Sequence, residues 1–580
     1  MMKKSRILNT VRYMTPRQWK YRIYYSVRNK LKKRKAVNAN HEIVPALLKT
    51  YYSADVGNAD ALSVADGICE GRIPAISGIV VSYTGDWDLK TEDYRLVSFR
   101  LNSFRWLLDL SDAYKVTGDR RYVKKGFEYI KDWQDKCGIR ISGDKWNPYV
   151  IAERITNWIG FVSEYGNERQ IKEVAKWIYP QAQELKDSIE YQLGANHLLS
   201  EAKALIYAGA FLKNGVLYET GKHILLSERG EQFYPDGGHY EQSVSYHVES
   251  LQQYFESYVI IKQSGDTDAE KRFVPVMREP YRFLNGMIGV NGKIPLFNDA
   301  AFDYPFFDAA DFLYTASCIY QTSPPKGQNG NYSKRWAWLG IGTAVINWET
   351  KIKYDNTGFV HYPMVIAGKR YSFYMDCGNN GPDYNPGHTH ADALSVLLYS
   401  EDKEILVDSG VFTYKTGTDR NACRATKAHN TVEVDERDSA EVWSSFRVAR
   451  RGHSDVIYFD SDKGLRIKAV QDGYKKNLKD PVIHTRAVKI IDNRISIIDR
   501  LECKGRHHAV SRFHVSPDCV VSQIDSRTCV IDGSIVVLSE RQIKVVDCKI
   551  AGLFGKPEDA KCIEIDFQGE KSVKTMFSLT

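Results

Sequence analysis

The sequence predicts a two-part fold, an (α/α) toroid followed by an antiparallel β-sandwich, with a basic arm in front. Helix-length segments fill residues 94–320, and from about residue 340 the pattern changes to short strands separated by turns. The 580 residues are also too many for one hydrophobic core. We place the arm at residues 1–41, the toroid at 42–325 and the sandwich at 326–580. Helices followed by strands predict two domains with a cleft between them.

The N-terminal arm, residues 1–41, is strongly basic. It contains thirteen Lys or Arg residues and no Asp or Glu, whereas the whole chain has a net charge of +8. Its apolar residues recur at helical spacing, which predicts a basic amphipathic helix. They are Trp19, Ile23, Tyr24, Val27 and Leu31. Such a helix either contacts a membrane surface or an anionic polymer, or packs its aromatic stripe on the body of the protein.

Several features of the chain bear on its compartment. The arm lacks the apolar core and the small-residue cleavage site of a secretory signal. The ten cysteines are scattered and include no CxxC pair, and no stretch is apolar enough to span a bilayer. We therefore expect a cytoplasmic protein, or one peripheral to the inner membrane. No nucleic-acid-binding module is recognisable, so we expect no nucleic-acid partner.

Eight helical segments of uneven length make up the first half. They cover residues 99–117, 121–137, 151–165, 171–193, 197–212, 215–229, 243–263 and 268–289. Because they follow no fixed sequence period, a closed toroid is favoured over a regular solenoid.

Polar residues interrupt these helices at three places. Asn196 opens an apolar helix, where it is either an N-cap or a functional group. Tyr246 lies in a helix that follows a Gly-Gly turn, close to Glu241. Arg154 lies one turn from Asn157 on a face shared with aromatic residues. Each of these residues is ambiguous on its own.

The strand half contains the densest cluster of chemically active residues, between residues 385 and 447. Residues 393–399 and 405–408 predict a hairpin. If the chain is extended there, the histidines of the His-Thr-His segment at 388–390 project from one face. Asp408 ends the second strand and His429 opens a third. This grouping predicts either a zinc-type divalent metal site, in which one histidine could instead carry protons, or a hydrogen-bonded pair at a sheet rim.

These segments resemble the heparinase II/III-like polysaccharide lyases. The matching motifs are GHTHADALS, LVDSG, AHNTVEVD, WSSFR, ANHLLSEAKAL and PDGGHYEQSVSYH, and the resemblance spans about residues 146–451. It implies an (α/α) toroid followed by a β-sandwich. It also implies that Asn196 neutralises a substrate carboxylate, that Tyr246 is an acid/base and that His388 is a base. The ligands implied for a structural divalent metal, usually zinc, are His390, Asp408 and His429.

The resemblance further implies a lyase that cleaves an anionic, uronic-acid-containing polysaccharide, such as a glycosaminoglycan, by β-elimination to leave a 4,5-unsaturated uronate. Further candidates for substrate binding are Arg154, His197, Glu201, Glu241 and Arg424. Two alternatives remain open, a zinc-dependent glycan hydrolase and a non-catalytic glycan-binding protein in polysaccharide synthesis. Because a basic arm stands where secreted members carry a signal peptide, a role in polysaccharide synthesis or turnover inside a bacterial cell also remains open.

Overall fold

A computed structural model of the chain describes residues 2–31, 43–76, 78–89, 95–138, 141–303, 309–320, 335, 351–567 and 572–580. It confirms the predicted architecture, because helices fill the first half and antiparallel strands the second. The predicted boundary between residues 325 and 326, and the Pro/Gly/Asn-rich loop around it, lie outside the described residues.

Several helices begin where a polar side chain accepts one of the first free N–H groups. The Asn147 side chain accepts from the N–H of Tyr149, for example, and Ser243 caps the helix that carries Tyr246. The helices are α1 (Met2–Val11), α2 (Pro16–Leu31), α3 (Leu62–Cys69), α4 (Arg95–Ser103), α5 (Leu107–Thr117), α6 (Arg120–Cys137), α7 (Pro148–Tyr165), α8 (Glu168–Asp187), α9 (Ala195–Phe211), α10 (Gly215–Gln232), α11 (Val244–Gln263), α12 (Thr267–Met287), α13 (Ala309–Tyr320), α14 (Thr418–Arg424) and α15 (Gly473–Asn477). None of the helices in the described part of the chain is long and apolar enough to cross a bilayer.

The strands form two eight-stranded antiparallel sheets and two short ribbons. They are β1 (Arg72–Pro74), β2 (Val80–Ser82), β3 (Phe359–Ile366), β4 (Lys369–Asp376), β5 (Val396–Ser400), β6 (Glu404–Leu406), β7 (Val432–Val434), β8 (Val442–Trp443), β9 (Arg447–Val448), β10 (Ser454–Asp460), β11 (Leu465–Gln471), β12 (Ile483–Ile491), β13 (Arg494–Glu502), β14 (Ala509–Val515), β15 (Val521–Asp525), β16 (Thr528–Ile531), β17 (Ile535–Ser539), β18 (Ile543–Ile550), β19 (Glu558–Asp566) and β20 (Ser572–Leu579). The outer sheet has the order β10-β11-β12-β13-β20-β17-β16-β15. The inner sheet has the order β18-β19-β14-β6-β5-β4-β3, with β7 also paired to β14.

Strand β5 shows how the two halves are joined. All five of its residues are buried, because successive side chains point to opposite faces of the inner sheet. Leu397 and Tyr399 pack into the helical core, whereas Val396 and Leu398 pack into the sandwich core. The inner sheet is therefore a shared layer, and the cleft between the halves has a rigid floor.

The histidine segment differs locally from its prediction. His388 and His390 lie in an irregular loop before β5, not on an extended strand. The predicted hairpin is confirmed as β5 and β6, but His429 follows a short 3-10 helix and precedes β7. Strands β6 and β7 both pair with β14. Leu406 of β6 lies opposite Val515, and Val432 of β7 lies opposite Ser511. This shared partner brings the end of β6 close to the start of β7.

The N-terminal arm, of which residues 2–31 are described, forms the two helices α1 and α2 and lies across both halves. Its predicted aromatic stripe does not pack on the body of the protein. Trp19, Ile23, Tyr24 and Val27 are 46%, 61%, 53% and 51% exposed. The side chain of Leu31, the fifth residue of the predicted stripe, lies outside the described part of the chain. The aromatic contacts of α2 with the body are instead made by Tyr21, on the Tyr191 ring, and by Tyr25, which donates to the Ile189 carbonyl.

Candidate active site

Three sharp turns in the backbone present the site residues. Ala195, Gln242 and Asn298 have φ angles of 57°, 55° and 61°. This left-handed region costs energy for residues other than glycine and is often found at functional sites. The first turn immediately precedes Asn196, and the second leads into the helix that bears Tyr246. The third immediately precedes a buried aspartate, so each turn delivers one polar group to the cleft.

Asn298 ties these turns together. Its side-chain oxygen accepts a hydrogen bond from the His390 backbone N–H at 2.8 Å, and its amide nitrogen donates to the Gln242 carbonyl at 2.9 Å. One side chain thus fixes the loop that carries the histidines relative to the start of α11.

Asn196 stands in the first turn of α9 and does not cap it, because Gly194 occupies the N-cap position. Its amide nitrogen donates to Glu249 Oε2 at 3.1 Å, and the Tyr149 hydroxyl donates to the other oxygen of Glu249 at 3.3 Å. An amide nitrogen carries two hydrogens, so one hydrogen fixes the side chain and the second can reach a ligand.

His197 is held beside this group from two directions. Its ring stacks on Tyr149 at a centroid distance of 4.4 Å, and its Nδ1 lies 2.8 Å from Glu190 Oε2. Burial lowers the pKa of His197, but the hydrogen bond and charge of Glu190, with the charges of Glu249 and Glu241, make the net shift upward. Glu201 is fully buried and accepts the backbone N–H of Glu190 at 2.8 Å. His197 thus borders the cleft, whereas Glu201 holds the turn behind it.

Tyr246 and His388 meet face to face from opposite halves of the molecule. Their rings stack with centroids 3.7 Å apart, and the Tyr246 hydroxyl lies 2.9 Å from the Tyr414 hydroxyl. Phe446 packs edge-on against the imidazole at 5.5 Å. The phenol and the imidazole are therefore in position to act on one bound molecule.

Asp299 is the centre of the strongest charge cluster at the site. Its two oxygens accept from Arg420 at 2.5 and 2.6 Å, from His388 Nδ1 at 2.9 Å and from His390 Nε2 at 2.8 Å. Burial alone would raise the pKa of Asp299, but the Arg420 guanidinium and the imidazole N–H groups hold it well below its usual value. Because Asp299 accepts the Nδ1–H of His388, Nε2 carries the free lone pair of a general base.

Glu241 is the second acid beside His388. It is buried, and its Oε1 lies 3.7 Å from His388 Nε2. Burial raises the pKa of Glu241 to about 7, an effect that the nearby His388 opposes and Glu249 reinforces. Glu241 therefore changes charge close to neutral pH, next to the imidazole.

His390, Asp408 and His429 form a group that could hold a metal ion. Their candidate ligand atoms all lie within 4.8 Å of one another, and all three residues are fully buried. His390 Nδ1 and His429 Nε2 have no hydrogen-bond partner. Burial lowers the pKa of His390 to about 4, which keeps this imidazole neutral as ligation requires. The group fits a zinc-type ion, because its donors are nitrogen and oxygen and Asp299 orients His390 from behind.

Besides Glu201, the predicted substrate-binding residues Arg154 and Arg424 also lie inside the protein. Arg154 has no exposed surface, packs over the Trp133 ring at 4.0 Å and donates to Gln181 at 2.7 Å. Arg424 is also fully buried and donates to the Thr389 carbonyl at 2.8 Å. The first arginine braces the helices and the second braces the histidine loop, so neither faces the cleft.

Four residues that the sequence analysis did not predict contact the candidate site residues. They are Asp299, Arg420, Tyr414 and Glu249. Arg420 stands one helical turn before Arg424 in the same short helix, and only the fold shows which of the two faces the site. The Asn-Asp dipeptide at 298–299 was a usable signal, because a polar pair at the end of the helical half needs a partner.

A cavity of about 790 Å³ lies in the helical half and follows the helices that carry the site residues. Glu153, Lys203 and Gln252 line it, one or two turns along α7, α9 and α11 from Tyr149, Asn196 and Glu249. Arg100 and Arg105 line it as well. The lining of the cavity thus contains both signs of charge.

Comparison with known proteins agrees with this architecture. The family model described as Heparinase II/III N-terminus matches residues 21–305, and the model described as Heparinase II/III-like, C-terminal, matches residues 351–565. A solved structure entitled Heparinase III superposes with a TM-score of 0.69 at 16% identity, covering 99% of this chain and 94% of that one. A heparan sulfate lyase HepC mutant from Pedobacter heparinus gives 0.60 at 18% identity, covering 96% and 87%. These similarities show the fold.

Curated relatives are similar over part of their length. A heparin-sulfate lyase from Bacteroides thetaiotaomicron is 22% identical over 451 residues, which are 69% of this chain and 58% of the relative. A heparin-sulfate lyase from Pedobacter heparinus is 23% identical over 382 residues, which are 61% and 53%. The chain thus spans little more than half the length of these relatives.

Proposed function

Because the chain belongs to the heparinase II/III-like family, we propose that it is a polysaccharide lyase that cleaves a uronic-acid-containing glycosaminoglycan by β-elimination. The observation that carries this proposal is the stacked pair of Tyr246 and His388, with the Asn196 amide on the helical side of the same cleft. The names of the curated relatives support the choice of an anionic glycosaminoglycan.

The Asn196 amide would lower the first barrier of the reaction. β-Elimination removes the proton at C5, next to a carboxylate, and expels the oxygen at C4. The C5 proton is barely acidic while the carboxylate keeps its full charge, so a donor must stabilise the developing enediolate. Glu249 fixes one Asn196 N–H, and the other would bind the substrate carboxylate.

His388 and Tyr246 would transfer the protons. His388 Nε2 would take the C5 proton, because Asp299 holds Nδ1–H and stabilises the imidazolium that forms. The Tyr246 hydroxyl would protonate the leaving oxygen at C4 and recover a proton from solvent. His197 and Glu241 border the cleft and would orient the sugar, whereas Arg154, Glu201 and Arg424 would act only by holding the residues around them.

A divalent metal, zinc by its donor set, would be held by His390, Asp408 and His429. Bound there, it would supply a fixed positive charge that pins the histidine loop. The three residues have no exposed surface, which leaves no open position for water and substrate. This burial favours the lyase over a zinc-dependent hydrolase.

We also propose that the enzyme works in a bacterial cell at the inner face of the membrane, in polysaccharide synthesis or turnover. The support is the arm, whose basic charge suits the anionic cytoplasmic leaflet.

The test is ultraviolet absorbance over time with heparan sulfate, hyaluronan, alginate and bacterial capsular glycans. We expect absorbance from the unsaturated uronate to rise, and the rate to fall about 10²–10⁴-fold in Tyr246→Phe and His388→Ala. Tyr458→Phe and His223→Ala are matched controls on exposed residues and should keep full activity.

The other outcomes discriminate between the alternatives. Shortened chains without absorbance would indicate a hydrolase, and intact chains with binding would indicate a glycan-binding protein. If His388→Ala kept its activity while Tyr246→Phe lost it, both proton transfers would belong to Tyr246.

A further inference from the structure

We propose that the outward face of the N-terminal arm binds the surface of an anionic lipid bilayer, independently of the lyase activity. The arm contacts the protein through arginines and through Tyr21 and Tyr25, and it leaves several of its larger apolar residues exposed to solvent.

The apolar side of α2 is exposed from Trp19 to Val27. Trp19, Ile23 and Val27 follow one another at intervals of four residues and therefore share one face. Each is between 46% and 61% exposed, and Tyr24 beside them is 53% exposed. A surface helix of a globular protein normally buries such a stripe against the core, so this stripe needs another explanation.

The opposite side of α2 is used to hold the body of the protein. Arg17 pairs with Glu228 at 2.7 Å and Arg28 lies 3.7 Å from Glu184, both on the helical half. Gln18 donates to the Tyr384 carbonyl at 3.1 Å, next to the histidine loop. These contacts fix the rotation of the helix and leave its apolar side facing outward.

Helix α1 repeats the arrangement on the sandwich side. Ile7 and Leu8 are 50% and 66% exposed. Arg6 pairs with Glu441 at 2.8 Å, and the Trp443 indole donates to the Thr10 hydroxyl at 3.2 Å. Both helices are thus anchored through their inner sides. The run of exposed apolar residues lies on α2, because Ile7 of α1 also lines a cavity beside Trp443.

Charge selects the occupant of this surface. Lys4, Lys20 and Lys30 are exposed beside the apolar residues, and the sequence adds the basic run at 32–35, with no acidic residue before Glu42. A second copy would bring the same positive charge and repel. An anionic polysaccharide would attract the lysines and could stack on Trp19, but it would not bury the aliphatic side chains of Ile23 and Val27. Apolar residues flanked by lysines match a bilayer that contains anionic lipids.

Docking in this way would place the active site close to the membrane. The inner side of the arm contacts residues 384 and 443–448, and Phe446 in the second segment packs on the His388 ring at 5.5 Å. The substrate would therefore be cleaved beside the bilayer surface.

The experiment is co-sedimentation of the full chain with vesicles of phosphatidylcholine alone or mixed with phosphatidylglycerol. We expect binding to the mixed vesicles, and about tenfold or greater loss in the double variant Trp19→Glu/Ile23→Glu. Val520→Glu/Ile524→Glu alters two residues of the sandwich that are 69% and 64% exposed, and should bind like the unmodified chain. Lys20→Ser and Lys30→Ser should each weaken binding about fivefold.

Three results would overturn the proposal. The first is that Trp19→Glu/Ile23→Glu binds the mixed vesicles as well as the unmodified chain does. The second is equal binding of the unmodified chain to the two kinds of vesicle. The third is a dimer in solution that the double variant abolishes. Loss of heparan sulfate binding without any vesicle binding would instead assign the arm to the polysaccharide. Turnover of soluble polymer by the double variant should be unchanged, so failure of this proposal is distinct from failure of the lyase assignment.

Discussion

The two walls of the cleft hold their functional groups by different means. On the helical wall, Asn196 and Tyr246 stand in the first turns of two buried helices, whose backbones fix them. On the sandwich wall, His388 lies in an irregular loop that depends on the charge cluster around Asp299 and Arg420. Activity and stability should therefore be separable on the helical wall and coupled on the sandwich wall.

The largest effect is expected from Asp299→Asn. The substitution leaves the Arg420 guanidinium buried without its carboxylate and releases both histidines. We expect a loss of about 3–5 kcal/mol in the free energy of unfolding, because an uncompensated buried charge remains. Denaturant unfolding measures this loss, and Asp559→Asn, at a surface side chain that is 90% exposed, is a control. Full stability of Asp299→Asn would show that the charge cluster does not hold the loop.

Asn196→Ala should affect turnover with little effect on folding. Loss of the donor to the enediolate should lower kcat by about 10²–10³-fold, or roughly 3–4 kcal/mol. The unfolding midpoint should stay close to that of the unmodified chain, since Asn196 does not cap α9. If Asn196→Ala lost as much stability as Asp299→Asn, the proposed difference between the helical wall and the sandwich wall would be contradicted.

Metal removal should affect the sandwich wall alone. At a free metal concentration of a hundred times Kd, a site that binds only the folded state adds about 2.7 kcal/mol of stability. We expect chelator to lower the melting temperature and added zinc to restore it, with metal content measured by mass spectrometry. His429→Ala should not respond, whereas His453→Ala, an exposed control, should respond normally. If the purified chain contained no metal and its melting temperature did not change with chelator, the proposed metal site would be contradicted.

Glu241→Gln should give the smallest change, visible in the pH profile. The Glu241 carboxyl ionises at about pH 7 in the folded chain against 4.5 ordinarily, so the carboxylate supports the His388 imidazolium only above pH 7. Replacement should lower kcat about fivefold above pH 7, or about 1 kcal/mol, and remove that inflection.

The same pKa shift has a consequence for stability. Because the unfolded chain releases this proton first, the contribution of Glu241 to stability falls as pH rises from 4.5 to 7. Glu241→Gln should flatten that slope, which denaturant titrations at several pH values would measure. An unchanged slope would mean that another group sets it.

Local patterns were enough to predict the elements and several site residues. The helices at 120–137, 215–232 and 244–263 lie close to where periodicity placed them, because burial of one face repeats every turn. The run at 99–117 is instead two helices, α4 and α5, with Phe104 at a φ of 60° between them. The placement of His388 beside His390 also followed from spacing, although a loop carries them.

The sequence by itself determined the order of helices and strands, the family resemblance and the amphipathic arm, because each depends on residues that are close together in the sequence. The tertiary structure alone decided that Asp299 pairs with Arg420, which is 121 positions away, and that Arg154 is enclosed by tryptophan. It also decided that the arm turns its apolar side outward. Burial and charge pairing depend on which distant segments meet, and neither periodicity nor spacing carries that information.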